Sequence, residues 1–450
     1  MLNFDLVVVG GGNAFRVAHE IAETGASVAL IEPGPLGGTC PHRGCIPSKL
    51  LLAHAARARA VREAERYGVK ATLESLDIER MLRETHDYTD PTEDKLRSKL
   101  SDNVRLFREP AMFVDAKRLR VGDETLVAER VVIAAGARPR RFESGPLAKL
   151  DAWTSDDVLR AASFPGSVAV VGAGPTGVEL AAMFEGLGIA TTLIQRGPRV
   201  LKNEDEDLTE RLGAALAERL DLRLGTEVRA QSSANGRVRL ELDDDSAVEV
   251  ERVVLAVGRV PNTDSLGLET TDVRLGEHGH VIVDEYLETH QSGVFAMGDI
   301  IGRDPYTHAA QAEARYLVAH LRGTKHEPYV AGPVPRVTYV EPPLAAVGRT
   351  ERELDAAKID YRSALAPFSN VVAGHAARDE HGACKLIAKP SGELLGASIL
   401  ATESPSLIHV VSLAMQCNAD VRTLASSMYA HPSVSELLRD AVRKLAGQLE

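Results

Sequence analysis

The chain lacks the marks of several broad classes of protein. Its 52 lysine and arginine residues face 64 aspartate and glutamate, a formal charge of -12, so it carries no basic footprint for nucleic acid. No apolar run approaches the roughly 18 residues needed to cross a bilayer. Met1 leads almost directly into Leu6-Val7-Val8-Val9, without a basic segment, apolar core or cleavage site. Neither a membrane span nor a secretory leader is expected, and a cytoplasmic location is. Four cysteines in 450 residues do not make a structural disulfide framework. With 44% hydrophobic and 26% charged residues, the chain is too long for one core and reads as two to four folded domains.

Two of the cysteines lie close together, in Gly37-Gly38-Thr39-Cys40-Pro41-His42-Arg43-Gly44-Cys45-Ile46-Pro47-Ser48-Lys49. On an ideal helix, residues five apart are about 7.5 Å apart along the axis, beyond the ~6.8 Å reach of a disulfide. The backbone must therefore bend between Cys40 and Cys45, and Gly38, Pro41, Gly44 and Pro47 supply the irregularity. A metal site would need further Cys or His at short spacing, and none is expected. Two unconnected core cysteines are the plainer alternative to a redox pair. The remote Cys384 and Cys417 are expected to pack in the core.

Two dinucleotide fingerprints stand about 160 residues apart. Leu6-Val7-Val8-Val9 runs into Gly10-Gly11-Gly12, a helix to about Thr24, and the strand Ser27–Ile31 ending at Glu32. Glycines let a pyrophosphate approach the backbone at a helix N-terminus, and Glu32 can accept hydrogen bonds from a ribose diol. The third glycine is missing here, with Ala14 and Phe15 in its neighbourhood. The second copy, Ser167–Val171 followed by Gly172-Ala173-Gly174-Pro175-Thr176-Gly177, has all three. Its second strand ends in Gln195-Arg196 where an NAD site would carry a carboxylate. An arginine can accommodate a 2′-phosphate, so Arg196, with Arg199 and Lys202 nearby, leans toward NADP. A solvated basic loop is the alternative.

The cysteine segment resembles that of the flavoprotein pyridine nucleotide-disulfide oxidoreductases, the family of dihydrolipoamide dehydrogenase, glutathione reductase, mycothione reductase and mercuric reductase. Pro41-His42-Arg43 stands where many members carry Leu-Asn-Val, a departure expected to alter the rim around the thiols. The resemblance extends through Val131–Gly136, the run Val253–Thr263 containing Gly258, and Ala296-Met297-Gly298-Asp299 to Ala430-His431-Pro432-Ser433-Val434-Ser435-Glu436.

It implies an α/β fold with two Rossmann-like dinucleotide-binding domains, as in glutathione reductase, plus a C-terminal α+β dimerisation domain. The expected domains are 1–149 (FAD-binding, first part, with the redox pair), 150–262 (NAD(P)-binding), 263–330 (FAD-binding, second part) and 331–450 (dimerisation). By the same resemblance Cys40 is the outer thiol and Cys45 the inner one facing FAD. His431 is the base, oriented by Glu436 and supplied by the opposite subunit of a homodimer. Gly10, Gly12, Glu32 and Asp299 contact FAD, Asp299 through the ribityl chain, and Gly136 and Gly258 are further cofactor-binding positions. Lys49 and Glu179 pair beside the flavin edge, and Gly172, Gly174, Gly177 and Arg196 contact NAD(P). The helix opening at Thr307 directs its positive end at the flavin, with His308 as a local contact. Pro175 stands where some glutathione reductases carry an aromatic gate.

The ending of the chain resembles dihydrolipoamide dehydrogenase most, making a free or protein-bound lipoyl group the expected substrate. An NADPH-dependent reductase of glutathione or mycothione disulfide is the alternative. A flavin-binding assembly or sensor subunit without turnover is an alternative of another class, opposed by the intact set of Cys40, Cys45, His431 and Glu436. The arginines Arg57, Arg59, Arg62 and Arg66 read as a solvated helix face.

Overall fold

The computed structural model describes residues 1–449, and its chain divides into two compact units. The first comprises Met1–Pro47, Arg83–Arg140 and Gly258–Ala331. Its seven-stranded sheet runs Val104–Phe107, Val28–Ile31, Leu2–Val9, Glu124–Ile133, Arg118–Val121, Ala111–Asp115, with Val294–Ala296 also paired to Glu124–Ile133. Leu6, Val7 and Val8 are fully buried, as fits an unbroken apolar run on a strand with parallel neighbours on both sides in this mixed sheet. Such burial contributes about 1.5–3 kcal/mol per large apolar side chain. The helices Phe15–Ala22 and Thr307–Leu321 add Val17, Ile21, Ala314 and Leu317 to this core.

The second unit comprises Ser48–Leu82, Arg141–Val257 and residues from Gly332 onward. One sheet is parallel, in the order Asp221–Leu224, Ala190–Gln195, Ser167–Val171, Arg252–Leu255, Trp153–Thr154. The helix Pro175–Gly186 contributes Val178 and Phe184 to the core with Val168 and Val170. The other large sheet is antiparallel, in the order Arg336–Thr338, Leu344–Gly348, Leu394–Leu400, Ala383–Ala388, Arg362–Pro367. The helix Ser435–Ala446 contributes Leu437, Leu438, Ala441, Val442 and Leu445 to its core, an apolar stripe at helical spacing.

Two expectations fail. Cys384 is a core residue, but Cys417 is exposed, because it caps the end of the helix Ser404–Gln416. Arg59 is not solvated: only 5% exposed, it pairs with Glu185 at 3.3 Å and with Glu341. A charge run shows which residues share a helix face, and carboxylates brought from elsewhere in the chain decide whether that face is wet.

Candidate active site

The bend required between the cysteines is at Gly44. The helix Thr39–Arg43 ends there, at φ -143° and ψ -119°, and the helix Cys45–Arg62 begins at the next residue. A β-carbon on Gly44 would lie 2.9 Å from the Thr39 carbonyl oxygen. The Cys40 thiol hydrogen-bonds Cys45 and Thr307, and Cys45 Sγ lies 3.7 Å from Thr307 Oγ1. The hydrogen bond with Cys45, burial and the Cys45 charge together push the Cys40 pKa up. Cys45 is exposed in the single chain and Cys40 half-buried.

His42 points away from the rim: it is buried and its Nε2–H donates to the Leu36 carbonyl at 2.8 Å. Of the three residues Pro41-His42-Arg43, His42 therefore anchors the turn from inside, while Arg43 is exposed. Thr307, expected only as the start of the helix Thr307–Leu321, also brings its hydroxyl to the two thiols, a contact the sequence did not disclose. A hydroxyl at a helix start was the available signal, but nothing local links it to thiols 262 positions away. His308 stacks on Tyr306 at 5.5 Å, a local contact as expected.

The two glycine turns are built alike. A β-carbon on Gly10 would sit 2.2 Å from the Ala134 oxygen, and one on Gly172 2.5 Å from the Ala256 oxygen. Two residues past those carbonyls come Gly136 and Gly258, both at positive φ with open space where a side chain would be. The turns differ at the third glycine. A β-carbon on Gly177 would meet the Gly172 oxygen at 1.8 Å, since that helix starts at Pro175. In the first turn the helix starts only at Phe15, five residues after Gly10, and the Phe15 ring stacks on His19 at 6.1 Å. The later start removes the close approach that demands glycine.

These turns fit dinucleotides. Gly12 faces Gly38, whose β-carbon would come 3.0 Å from the Gly12 Cα, and Gly174 has nothing within 4 Å. Glu32 accepts the N–H groups of Gly11 at 2.7 Å and Gly34 at 2.8 Å, which leaves further lone pairs on its two oxygens for a ribose. Asp299 follows the strand Val294–Ala296, 3.9 Å from Arg259 Nε, and burial raises its pKa. That buried Nε has no hydrogen-bond partner among the described residues, a donor left over for a bound group.

In the second unit, Lys49 Nζ donates to Glu179 Oε2 at 2.6 Å and lies 4.5 Å from the centroid of the Tyr339 ring. The Tyr339 backbone N–H donates to Glu179 Oε1 at 2.9 Å. Tyr339 is a residue the sequence reading passed over. Arg196 is exposed and has no partner among the described residues, while Gln195 Oε1 accepts the Ala173 N–H at 3.2 Å.

His431 and Glu436 also meet. His431 Nδ1 is 3.0 Å from Glu436 Oε1, with the imidazole 70% exposed and the carboxylate 4% exposed. Glu436 also accepts from Arg439 and from the Ser433 N–H. The hydrogen bond from His431 is the largest of the effects that pull its pKa down to about 2. A carboxylate held ionised accepts only, so Nδ1 carries a proton and Nε2 is the ring nitrogen left free of this contact.

Residues 4–314 match the family described as pyridine nucleotide-disulphide oxidoreductase, and residues 334–442 match its dimerisation domain. The chain belongs to the pyridine nucleotide-disulphide oxidoreductase family. It is 32% identical over 464 residues to mycothione reductase of Mycobacterium tuberculosis, spanning 98% of this chain and 99% of that protein. It is 32% identical to glutathione reductase of Burkholderia cepacia (96% and 97% covered) and 29% identical to dihydrolipoyl dehydrogenase of Buchnera aphidicola (99% and 96% covered). Among solved structures, the HOCl-induced flavoprotein disulfide reductase RclA from Escherichia coli matches with a TM-score of 0.86 at 26% identity, covering 98% of this chain and 99% of that one. The protein is thus an FAD-dependent disulfide oxidoreductase that works with NAD(P)H, and its dimerisation domain supports a homodimer. Among the described residues no helix is long and apolar enough to cross a membrane, and no group of three or more His, Cys, Asp or Glu is placed to hold a metal ion.

Proposed function

We propose that the protein is an NADPH-dependent reductase of a low-molecular-weight disulfide of the mycothione or glutathione type. Arg196 carries this reading: an exposed, uncommitted cation stands where an NAD site needs a carboxylate, and the neighbouring Gln195 is spent on the glycine turn. Mycothione and glutathione reductases among the similar proteins support it. In this reading FAD lies on residues 1–149 and 263–330, the nicotinamide nucleotide on 150–262, and 331–450 forms the dimer contact.

When bound, FAD supplies a two-electron relay from NADPH to the Cys40–Cys45 disulfide. The side of Cys45 next to the start of the helix Thr307–Leu321 is taken as the flavin side, and Cys40 as the thiol that meets substrate. His431, from the opposite subunit, takes the Cys40 proton at Nε2. The Cys40 thiolate attacks one sulfur of the substrate disulfide, and the expelled thiolate takes that proton back. Cys45 then attacks the Cys40 sulfur as a thiolate, which closes the bridge and frees the second substrate thiol. Each turnover consumes one NADPH and one proton and releases two thiols. Lys49, held by Glu179, sets the charge beside the flavin edge.

Oxidation of dihydrolipoyl groups is the second reading, favoured by the resemblance of Ala430–Glu436 to dihydrolipoamide dehydrogenase. Steady-state assays with mycothione disulfide, glutathione disulfide and lipoamide, each with NADPH and NADH, separate the two. The highest kcat/KM is expected for NADPH with one of the first two disulfides. A dominant rate for lipoamide with NADH, or for dihydrolipoamide with NAD, would displace the proposal. Stoichiometric bleaching without turnover on any disulfide would favour a sensor or assembly role.

A further inference from the structure

The loop after Arg196 is fastened on two sides. On one side the Leu201 N–H donates to the carbonyl of Ala173, inside the second glycine turn, at 2.8 Å. On the other side the loop meets the C-terminal segment through a set of charged contacts. Arg336 grips Glu204 with two parallel hydrogen bonds, both 3.0 Å. Arg352 Nη1 donates to the Lys202 carbonyl at 2.7 Å. Lys385 Nζ donates to Asp205 at 3.1 Å, to Asp207 at 2.7 Å and to Glu351.

The Lys385 cluster is unusual in two respects. Lys385 is 3% exposed and Asp205 2%, and burying an ion pair so deeply carries a desolvation cost that its own attraction does not always recover. Asp205 also occupies the N-cap position of the helix Glu206–Ala217, where an aspartate ordinarily accepts a backbone N–H, yet it makes no such bond. Its carboxylate goes to Lys385 instead. Capping of its own helix is forgone for a bond 180 residues away in sequence.

We propose that Lys385 and Arg336 are positioning residues for the nicotinamide nucleotide, acting from the dimerisation segment by fixing the loop from Arg196 to Asp207 against the second glycine turn. The proposal rests on the reading of Arg196 as the contact to the 2′-phosphate. A bidentate pair and a buried lysine hold the loop backbone in one arrangement, so that Arg196 is presented before the nucleotide arrives. The ordering cost is then met in folding instead of in binding. Loss of the anchors lowers affinity for the phosphorylated nucleotide while the chemistry at the thiols continues.

The test uses FAD-loaded, dimeric Lys385→Met and Arg336→Gln enzymes, titrated calorimetrically with NADP and with NAD, alongside KM and kcat for NADPH. The Kd for NADP is expected to rise by on the order of tenfold, with a smaller change for NAD. At saturating NADPH kcat should stay within about twofold of wild type. Wild-type affinity for NADP in both variants, or equal weakening of both nucleotides with a fall in kcat, overturns the proposal. If Lys385→Met yields no dimer, Arg336→Gln, which leaves Lys385 on Asp205, decides alone. Arg196→Gln is the control for the underlying reading: if it leaves NADP affinity unchanged, the loop reading fails. If it weakens NADP while the other two variants are silent, only the positioning role fails.

Discussion

Glu436 turns one carboxylate oxygen to His431 Nδ1 at 3.0 Å from an almost fully buried position, while the imidazole it holds stands in the open. A fixed anion behind an exposed ring is how a histidine is kept in one tautomer with its outer nitrogen basic. His431→Ala should slow the thiol-disulfide half-reaction by about 10²–10⁴-fold and spare flavin reduction by NAD(P)H, as rapid mixing would separate. Verified heterodimers of a His431→Ala subunit with a Cys40→Ser subunit should regain one working site. An unaltered disulfide half-reaction, or heterodimers without recovery, would remove the shared base.

The same pair has an acid signature. The folded-state pKa of Glu436 is about 2 against an ordinary value of 4.5, so its ionised form adds stability that is complete above pH 4.5 and lost as the pH falls toward 2. The stability deficit of Glu436→Gln, from urea midpoints, should be level between pH 7 and 5 and shrink below 4.5. A deficit that persists unchanged at pH 3 would mean that the glutamate acts by shape and not by charge.

Two substitutions should move the Cys40 thiol in opposite directions. Cys45 raises its pKa through a hydrogen bond and charge, whereas the Thr307 hydroxyl lowers it. In reduced protein, Cys45→Ala should shift the pH profile of Cys40 alkylation to lower pH, and Thr307→Val should shift it higher. Shifts of the same sign would contradict the arrangement.

Arg196→Glu places a carboxylate where a ribose diol would meet it. The ratio of kcat/KM for NADPH to that for NADH should fall by at least about tenfold. A wild-type enzyme that already favours NADH and a ratio indifferent to the substitution would show that this arginine reads no phosphate.

Gly177→Ala forces a β-carbon to within 1.8 Å of the Gly172 oxygen, so the helix Pro175–Gly186 must retreat from its strand. Overpacking of this kind costs about 1–3 kcal/mol, visible as a lower Tm. Gly174→Ala enters open space and should cost less stability while weakening nucleotide binding. Equal Tm losses in the two would deny the close packing at Gly177.

Both nucleotide folds were legible because they are local: strand, glycine turn, helix and strand occur within about thirty residues. The late start of the helix at Phe15 was not, since the missing glycine marks an exception without saying how the backbone accommodates it. Cys40, Cys45, His431 and Glu436 could be named from short motifs. Thr307, Tyr339 and the carboxylates around Arg59 and Lys385 depend on pairings between distant segments, and no periodicity records those. His42 misled for a similar reason: its partner, the Leu36 carbonyl, is a backbone atom with no sequence signature.

The break at Gly44 places the two sulfurs on either side of a fixed corner, so their approach is written into a dozen consecutive residues instead of the packing of separate segments. Opening and closing the bridge then asks for little more than side-chain rotation. In the proposed redox cycle the mechanical stroke is small, because the two thiols already hydrogen-bond in the dithiol state.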